Sequence, residues 1–409
     1  MKVDTMRWID YYIGVPLCFL GSIGHKFVSL VSKKKENPLR NILFIELSEM
    51  GSAVLVDPAM RKLQKKTGAN IHFAIFKKNK PSLDLLSTVP TENICTIRED
   101  SIPAFIFDTL RFFFWTRRKK IDAVIDLELF SRFTALLTGF CGAQKKVGFH
   151  AYFNEGLYRG SFLTHKVAYN PHMHIARNFI ALVNALLACK KEVPFSKTLI
   201  TDDEILLTKV KFTDTQKKAI ADIVRDNFPG FDPSRHKIVL INPNASELLI
   251  QRRWPPQYYI QLMKNILEYS PSAIILITGD PRESQEAQQL TDQVQSERCI
   301  NFAGKVSFAQ LPSLYSISEF MVTNDSGPSH FAAVTGMPTF VIFGPETPAL
   351  YGSLGRTTAI YAGLACSPCV SAANHRKTAC KDNVCLQVIK PEHVLESIKR
   401  DLERINAPR

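Results

Sequence analysis

Short apolar runs alternate with helical segments along most of this chain, in two successive series. The runs lie at 42–47, 71–76, 123–127 and 146–149, and then at 238–241, 273–278, 300–302, 320–323 and 339–343. Such alternation is typical of parallel strands covered by helices. The chain has 409 residues, and single cores seldom exceed about 250 to 300 residues. The pattern therefore predicts an α/β protein of two Rossmann-like domains with parallel sheets facing a central cleft.

The predicted domain boundaries follow from where these patterns begin and end. The four predicted parts are an apolar and basic segment at 1–36, a first domain at 37–192, a second domain at 193–390 and a terminal helix at 391–409. The first domain is closed by a long helical pattern at 174–187.

One segment of the second domain, 320–345, combines a strand, a polar loop, a short helix and a further strand. Asp325 and Ser326 suit a helix N-cap, Pro328 suits the first turn, and Gly336 suits the helix end. Backbone N–H groups at such a turn, together with the helix dipole, form an anion site suited to a diphosphate. The alternative is an ordinary loop between strand and helix.

Four of the nine cysteines are close together in sequence. Cys366, Cys369, Cys380 and Cys385 form the pattern C-x2-C-x10-C-x4-C, whereas the others are isolated. Two close pairs of this kind predict a structural zinc, and disulfides or free thiols are the alternatives. The chain has no Asp-x-Asp pair of the type that holds Mg or Mn in many sugar transferases. We therefore expect a reaction without a catalytic metal or other cofactor.

The first residues of the chain indicate contact with a membrane. The apolar run at 11–24 is uncharged and 14 residues long, which is shorter than the roughly 20 residues that a spanning helix needs. Aromatic residues precede the run, and Lys26 and the lysines at 33–35 follow it. This order is typical of a segment that lies in the interface of an anionic membrane. A cleaved signal peptide and a spanning helix at 9–31 are the alternatives.

Net charge supports the same interpretation. Residues 1–200 contain 29 Lys and Arg against 16 Asp and Glu, a difference of +13, whereas residues 201–409 contain 22 of each. The sequence at 110–120 joins four consecutive aromatic residues to a basic group, which suits either membrane docking or a buried helix end. We expect no nucleic-acid partner, because no nucleic-acid-binding motif accompanies the charge.

Three segments together resemble the heptosyltransferase family, glycosyltransferase family 9. They are NDSGPSHFAAVTGMPTFVIFGPETP at 324–348, NILFIELSEMGSAVLVDPAMRKLQKK at 41–66 and INPNASELLIQRRWP at 241–255. The resemblance implies the GT-B fold, with a terminal helix that crosses back to the first domain. It also implies inverting transfer of a heptose or another sugar from a nucleotide-diphosphate donor.

Matching the family motifs to this chain gives candidate substrate-binding residues. Arg253, with Arg252 as the alternative, is expected to bind the departing diphosphate. Asp325 is expected to bind sugar or ribose hydroxyls, or only to cap the helix. The remaining candidates are Ser48, Gly51, Ser52, Arg132, Asn244, Ser246, Ser326, Gly327 and His330.

The catalytic base is where this sequence departs from the family. The usual motif resembles Ser-x-x-Gly-Asp, with the Asp as proposed base, but Ser52 occupies that position here. Because a serine is a poor base near neutral pH, Glu49 is the first candidate and Glu128 the second. Arg132 lies four residues after Glu128, so an ion pair on one helix face is the structural alternative for both residues.

The sequence therefore predicts a metal-independent, inverting glycosyltransferase that acts on a lipid-linked saccharide of the lipopolysaccharide type. It would lie at the cytoplasmic face of the inner membrane, as a peripheral or monotopic protein. Because Ser52 stands where a base is expected, a non-catalytic scaffold that binds saccharide or nucleotide at the membrane is the alternative.

Overall fold

The computed structural model describes residues 3–31, 38–152, 157–190, 192–245, 247–371, 374 and 376–407. The chain forms two compact units, Met1–Leu206 and Leu207–Arg409. The stretch 193–206, predicted to begin the second domain, belongs to the first unit. There the N–H of Phe195 donates to the carbonyl of Lys166 at 3.1 Å, and Ile200 and Ile205 are buried.

The first unit is a six-stranded sheet with helices. Its strands are β1 (Asn41–Ile45), β2 (Asn70–Phe76), β3 (Ile94–Ile97), β4 (Ala123–Asp126), β5 (Lys145–Phe149) and β6 (His165–Val167). Its helices are α1 (Val3–Tyr12), α2 (Gly14–Val31), α3 (Met50–Leu55), α4 (Asp57–Thr67), α5 (Pro81–Asp84), α6 (Ile102–Arg118), α7 (Arg132–Phe140) and α8 (Ile175–Leu187). The strand order is β3-β2-β1-β4-β5-β6, and each pair is parallel.

The second unit repeats this plan. Its strands are β7 (Lys237–Asn242), β8 (Ala273–Ile277), β9 (Cys299–Asn301), β10 (Phe320–Asn324), β11 (Thr339–Phe343) and β12 (Thr357–Tyr361). Its helices are α9 (Asp214–Asn227), α10 (Pro256–Tyr269), α11 (Ser284–Val294), α12 (Leu311–Ser316), α13 (Gly327–Ala332), α14 (Pro348–Tyr351), α15 (Val384–Gln387) and α16 (Pro391–Asn406). The order β12-β11-β10-β7-β8-β9 is again parallel throughout. The predicted class, two Rossmann-like parallel sheets, is confirmed.

Strand order places a switch point in each unit. In the first sheet the chain reverses direction across the sheet between β1 and β4, and in the second between β7 and β10. Ligands of open parallel sheets bind at the carboxyl ends of the strands at such points. We call these places the first-unit edge (Ser48, Glu49, Ser52 and Glu128) and the second-unit edge (Asn244, Arg252, Asp325, Ser326 and Glu346).

The terminal helix α16 packs within the second unit. Val394, Ile398, Leu402 and Ile405 are buried in the same core cluster as residues of α10. Their spacing puts them on one face of the helix, which explains why that face is covered. The predicted return of this helix to the first domain stays a prediction.

The N-terminal apolar run forms two helices rather than one, because α1 ends at Tyr12 and α2 begins at Gly14. Among the residues that the structure describes, no helix is both long and apolar enough to cross a membrane. The lysines at 33–35, for which a contact with anionic lipid is predicted, lie outside the described residues.

Candidate active site

Glu128 is held against the loop that follows β1. Its Oε1 accepts hydrogen bonds from the N–H groups of Leu47 and Ser48, at 3.2 and 3.1 Å, and from the Ser48 hydroxyl at 2.7 Å. The side chain is buried, and burial raises the pKa of Glu128 above its ordinary value while the Ser48 hydrogen bond opposes that rise. Glu128 thus lies at the first-unit edge with one carboxylate oxygen fully engaged.

Glu49 and Ser52 contact each other directly. The Ser52 hydroxyl donates to Glu49 Oε2 at 3.0 Å, where Glu49 is the residue before α3 and Ser52 lies in its first turn. Ser52 is buried, Glu49 is half-buried and Ser48 is exposed. Ser52, which stands where the family has Asp, therefore donates a hydrogen bond to the carboxylate of Glu49. That carboxylate is partly exposed to solvent.

Arg159, which sequence reasoning missed, fixes the loop that carries Glu128. Its guanidinium donates to the carbonyls of Glu128 and Ser131, at 2.5 and 2.9 Å, and pairs with Asp126 at the end of β4. Asp126 is buried, and burial raises its pKa while Arg159 opposes that rise. Arg159, 33 residues after Asp126 in the sequence, thereby holds the loop between β4 and α7.

Arg132 does not pair with Glu128, so the predicted ion pair on one helix face is wrong. Helix α7 begins at Arg132, and Glu128 precedes it in the loop. Arg132 instead pairs with Asp10 of α1 at 3.2 Å and lies over the Tyr11 ring at 5.3 Å. The guanidinium is buried by this contact, which favours a structural role over the predicted substrate contact.

At the second-unit edge, Asn324 joins the end of β10 to the loop after β7. Its Nδ2 donates to the carbonyl of Pro243 at 2.6 Å, and its Oδ1 accepts from Trp254 N–H and the Tyr259 hydroxyl, each at 3.0 Å. Asn324 is fully buried. It therefore sets the position of the segment with the two candidate arginines.

Arg252, rather than Arg253, lies beside Asp325. Its Nη2 is 2.9 Å from Glu346 Oε2, its Nε is 3.8 Å from Asp325 Oδ2, and its Nη1 donates to the Asp325 carbonyl. Arg376 approaches Glu346 Oε1 at 3.3 Å from the other side. Both carboxyl groups are buried, so the edge contains two acids between two guanidinium groups. Sequence reasoning missed Glu346 and Arg376, because no local pattern joins them.

Asp325 at the second-unit edge has a pKa well above its ordinary value. Burial raises the pKa of Asp325 from 3.8 to about 8. Arg252 and Arg376 oppose this rise, whereas Glu346 adds to it by charge repulsion and by a hydrogen bond. Burial of Asp325 therefore favours its protonated form.

Arg253 points elsewhere. Its guanidinium donates to the Ala245 carbonyl, at 3.3 and 3.1 Å, and lies 3.6 Å from Glu286 on α11. Asn244 is buried at the end of β7. Ser246, the remaining predicted residue of this segment, lies outside the described residues.

The predicted loop after β10 forms the expected short helix. Pro328 lies in the first turn of α13, and the predicted N-cap position is confirmed for Ser326, although its side chain makes no capping hydrogen bond. The Ser326 hydroxyl donates instead to the Asn324 carbonyl at 3.2 Å. Asp325 is near Glu346, and Ser326 and Gly327 are half-buried. His330 is buried on the same helix.

The structure does not support the predicted zinc site at the clustered cysteines. All nine cysteines are free thiols, and in the described part of the chain no group of three or more His, Cys, Asp or Glu could hold a metal ion. Two of the four thiols have other neighbours, since Cys369 Sγ lies 3.4 Å from Thr378 Oγ1 and Cys380 Sγ lies 3.2 Å from Asp382 Oδ1. Cys366 is exposed and Cys385 is buried.

The sequence and the fold of this chain can be compared with those of known proteins. The sequence profile of glycosyltransferase family 9 (heptosyltransferase) matches residues 110–379. The chain belongs to glycosyltransferase family 9. The match includes Glu128 at the first-unit edge and all residues of the second-unit edge.

Curated relatives of this family 9 protein are heptosyltransferases. Lipooligosaccharide heptosyltransferase 2 of Campylobacter jejuni is 31% identical over 169 residues, which are 40% of this chain and 51% of that protein. The chain thus spans about half the length of this relative and of a second heptosyltransferase 2 of the same species. Lipopolysaccharide core heptosyltransferase OpsX of Haemophilus influenzae is 23% identical over 286 residues, 69% of this chain and 74% of its own.

Solved structures support the fold. ADP-heptose lps heptosyltransferase II of E. coli superposes with a TM-score of 0.67 at 20% sequence identity, covering 90% of this chain and 100% of that one. A family 9 glycosyltransferase from Veillonella parvula gives 0.68 at 17% identity, covering 90% and 99%. The two parallel sheets are therefore the fold of this family.

Proposed function

We propose that this protein transfers a heptose or another sugar from a nucleotide-diphosphate donor to a lipid-linked saccharide of the lipopolysaccharide type. The proposal rests on the family and on the second-unit edge, where Arg252, Asp325 and Glu346 meet at the switch point. The relatives are named as heptosyltransferases, and the E. coli structure is named for ADP-heptose. ADP-heptose is accordingly the first donor to test.

The first-unit edge supplies the base in this proposal. An acceptor hydroxyl oxygen attacks the anomeric carbon, its proton passes to Glu49, and the bond from that carbon to the diphosphate oxygen breaks. Attack from the face opposite the leaving group inverts the anomeric centre. Glu49 is favoured over Glu128 because it is half-exposed, whereas Glu128 is buried and already accepts three hydrogen bonds through one oxygen.

The second-unit edge holds the donor. Arg252 lies 3.8 Å from the Asp325 carboxylate, just before α13, so its guanidinium is suited to the negative charge that grows on the departing diphosphate. Asp325 and Glu346 offer carboxyl oxygens to sugar or ribose hydroxyls. Charge stabilisation by Arg252 and backbone N–H groups would make a divalent ion unnecessary.

The protein would act at the cytoplasmic face of the inner membrane, bound as a peripheral or monotopic protein through its first helices. The aromatic residues of α1 support this placement, because Trp8, Tyr11 and Tyr12 are all exposed. Such rings are favoured at the level of lipid headgroups.

The test is a turnover assay with the purified full-length chain, after a thermal-shift screen of nucleoside diphosphates and their sugars. We expect release of the nucleoside diphosphate with ADP-heptose and a lipid-linked acceptor, an inverted linkage in the product, and unchanged turnover in excess chelator. Strict dependence on Mn would contradict the metal-independent mechanism. Nucleotide or saccharide binding without turnover on any donor and acceptor would favour the scaffold.

A further inference from the structure

Helix α6 presents an apolar face to solvent. Ile102, Ile106, Phe107, Leu110 and Phe114 are all more than half exposed, with 69% of Phe114 accessible. Their spacing places them on one side of the helix. The opposite side is covered, because Asp108, Phe112 and Thr116 are fully buried. The interpretation of residues 110–120 as a buried helix end is thus confirmed for one face of α6 only.

Helices α1 and α2 present a similar face. The exposed large apolar residues of the two helices and of the link between them are Trp8, Tyr11, Tyr12, Ile13, Leu17, Phe19, Leu20, Ile23 and Phe27. The face toward α7 consists of small residues. Cys18 is fully buried, a Cβ on Gly14 would lie 2.8 Å from Arg132 Cβ, and one on Gly21 would lie 2.9 Å from the Phe140 ring. Close packing on α7 therefore leaves the large apolar residues of α2 outside.

Helices α1 and α6 both contact the beginning of α7. The N–H of Phe133 donates to Asp10 of α1 at 2.9 Å, and its ring lies 4.6 Å from that of Phe105 on α6. Helix α2 runs parallel to α7, because Gly14 packs at the start of α7 and Gly21 at its end. Helices α6 and α7 each connect the carboxyl end of one parallel strand to the start of the next. All three helices thus begin on the side of the first sheet where its strands have their carboxyl ends, which is also the side of the first-unit edge.

Cations mark the far end of this surface. Arg117 and Arg118 in the last turn of α6 are exposed, as are Lys120 just beyond it and Lys26 on α2. With the excess of positive charge in residues 1–200, these cations match anionic lipid headgroups, and the exposed aromatic residues match the interface beneath them. An apolar face rimmed by cations is therefore suited to an anionic bilayer.

We infer that α6 and the α1–α2 pair together form one surface that lies flat on an anionic lipid bilayer. This surface begins on the side of the sheet that carries Glu49 and Glu128. A lipid-linked acceptor can then keep its lipid in the bilayer while its sugar reaches the first-unit edge, a consequence that rests on the proposed function.

Vesicle binding tests the surface without requiring turnover. The full-length protein is floated with vesicles of phosphatidylethanolamine and phosphatidylglycerol, and with vesicles of phosphatidylcholine alone. The test variant carries Phe107→Glu and Phe114→Glu. The matched control carries Leu199→Glu and Leu206→Glu, which change the same charge at exposed leucines of the first unit outside these helices. Thermal melting verifies that both variants fold.

We expect tight binding to the anionic vesicles only, with affinity lowered at least about tenfold in the α6 variant and within about twofold of the unmodified protein in the control. Turnover on a delipidated, soluble acceptor should be unchanged by the α6 substitutions. Equal binding of both variants would overturn the role of α6. A dimer that dissociates in the α6 variant, with no vesicle binding by the unmodified protein, would identify a second copy as the occupant. Failure of turnover with all acceptors, but with vesicle binding as expected, would contradict the proposed function alone.

Discussion

The two edges hold their carboxyl groups in opposite ways. At the first-unit edge, Glu128 and Glu49 accept hydrogen bonds from neutral donors, namely backbone N–H groups and the hydroxyls of Ser48 and Ser52. At the second-unit edge, Asp325 and Glu346 lie between the guanidinium groups of Arg252 and Arg376. Both edges occupy the same switch point of the same strand order, so topology alone does not set this difference.

The difference explains how one fold, used twice, can serve two chemical tasks. A partly exposed carboxylate near a bound hydroxyl can accept its proton. Buried carboxyl groups that contact guanidinium groups form an ordered binding surface. We therefore assign proton transfer to the first-unit edge and donor binding to the second-unit edge. Each assignment can be tested by substitution.

The largest expected effect is on turnover. Glu49→Gln should lower kcat by about 10² to 10⁴, the usual contribution of a general base, with little change in the KM for the donor. Steady-state kinetics measure both constants. Glu92→Gln, at an exposed glutamate of the first unit, is the matched control and should leave kcat unchanged. If Glu128→Gln lowers kcat and Glu49→Gln does not, the two roles are exchanged.

The next effect is on stability at the second-unit edge. Arg252→Met should lower the free energy of unfolding by about 3 kcal/mol, because it leaves two buried carboxyl groups with one cation fewer. Chemical denaturation near pH 8 measures this loss. Arg253→Met removes a more exposed guanidinium with fewer buried partners and should cost less than about 1 kcal/mol. Equal losses for the two variants would show that Arg252 does not balance the buried acids.

The pH dependence of stability tests the raised pKa of Asp325. The pKa of Asp325 in the folded protein lies above its ordinary value of 3.8, so its stabilising contribution is complete below about pH 4 and is lost as the pH rises toward 8. Relative to the unmodified protein, Asp325→Asn should therefore gain stability between pH 5 and pH 8, by about 1.4 kcal/mol per pH unit at most. Glu346, Arg252 and Arg376 face Asp325, and they are unchanged in this comparison. Parallel stability curves would contradict a raised pKa of Asp325.

The smallest expected effect concerns the cysteines near the second-unit edge. Cys366→Ser should change the free energy of unfolding by less than about 0.5 kcal/mol, because the thiol is exposed. A chelator should not lower the Tm of the unmodified protein. Stoichiometric zinc in the purified protein, with loss of Tm after its removal, would restore the metal prediction.

The strands that sequence reasoning located are mainly those with continuous apolar runs. Strands β1, β2, β4, β7, β8, β10 and β11 are each buried over most of their length. The unpredicted strands are β3, β6 and β12, and each is the outermost strand on one side of its sheet. β12 is mostly accessible and β6 has only three residues. An edge strand needs little apolar character, so periodicity does not reveal it.

The candidate site divides in the same way. Polar residues that directly follow a buried strand, such as Glu49, Glu128 and Asp325, could be found from local pattern. Their partners could not, because Asp10 meets Arg132 from 122 residues away and Arg376 reaches Glu346 from a separate loop. The choice between Arg252 and Arg253 depended on which way a short irregular segment turns. Such contacts are determined by tertiary packing and have no local pattern.

The central claim, that one edge binds the donor and the other moves the proton, is tested most directly by calorimetric titration with the donor's nucleoside diphosphate. The titration compares the unmodified protein with Glu49→Gln and Arg252→Lys, which keeps the charge but loses the two-pronged grip. We predict that Glu49→Gln binds the nucleotide as tightly as the unmodified protein and that Arg252→Lys binds it at least about tenfold more weakly. Loss of binding in Glu49→Gln with full binding in Arg252→Lys would contradict the account.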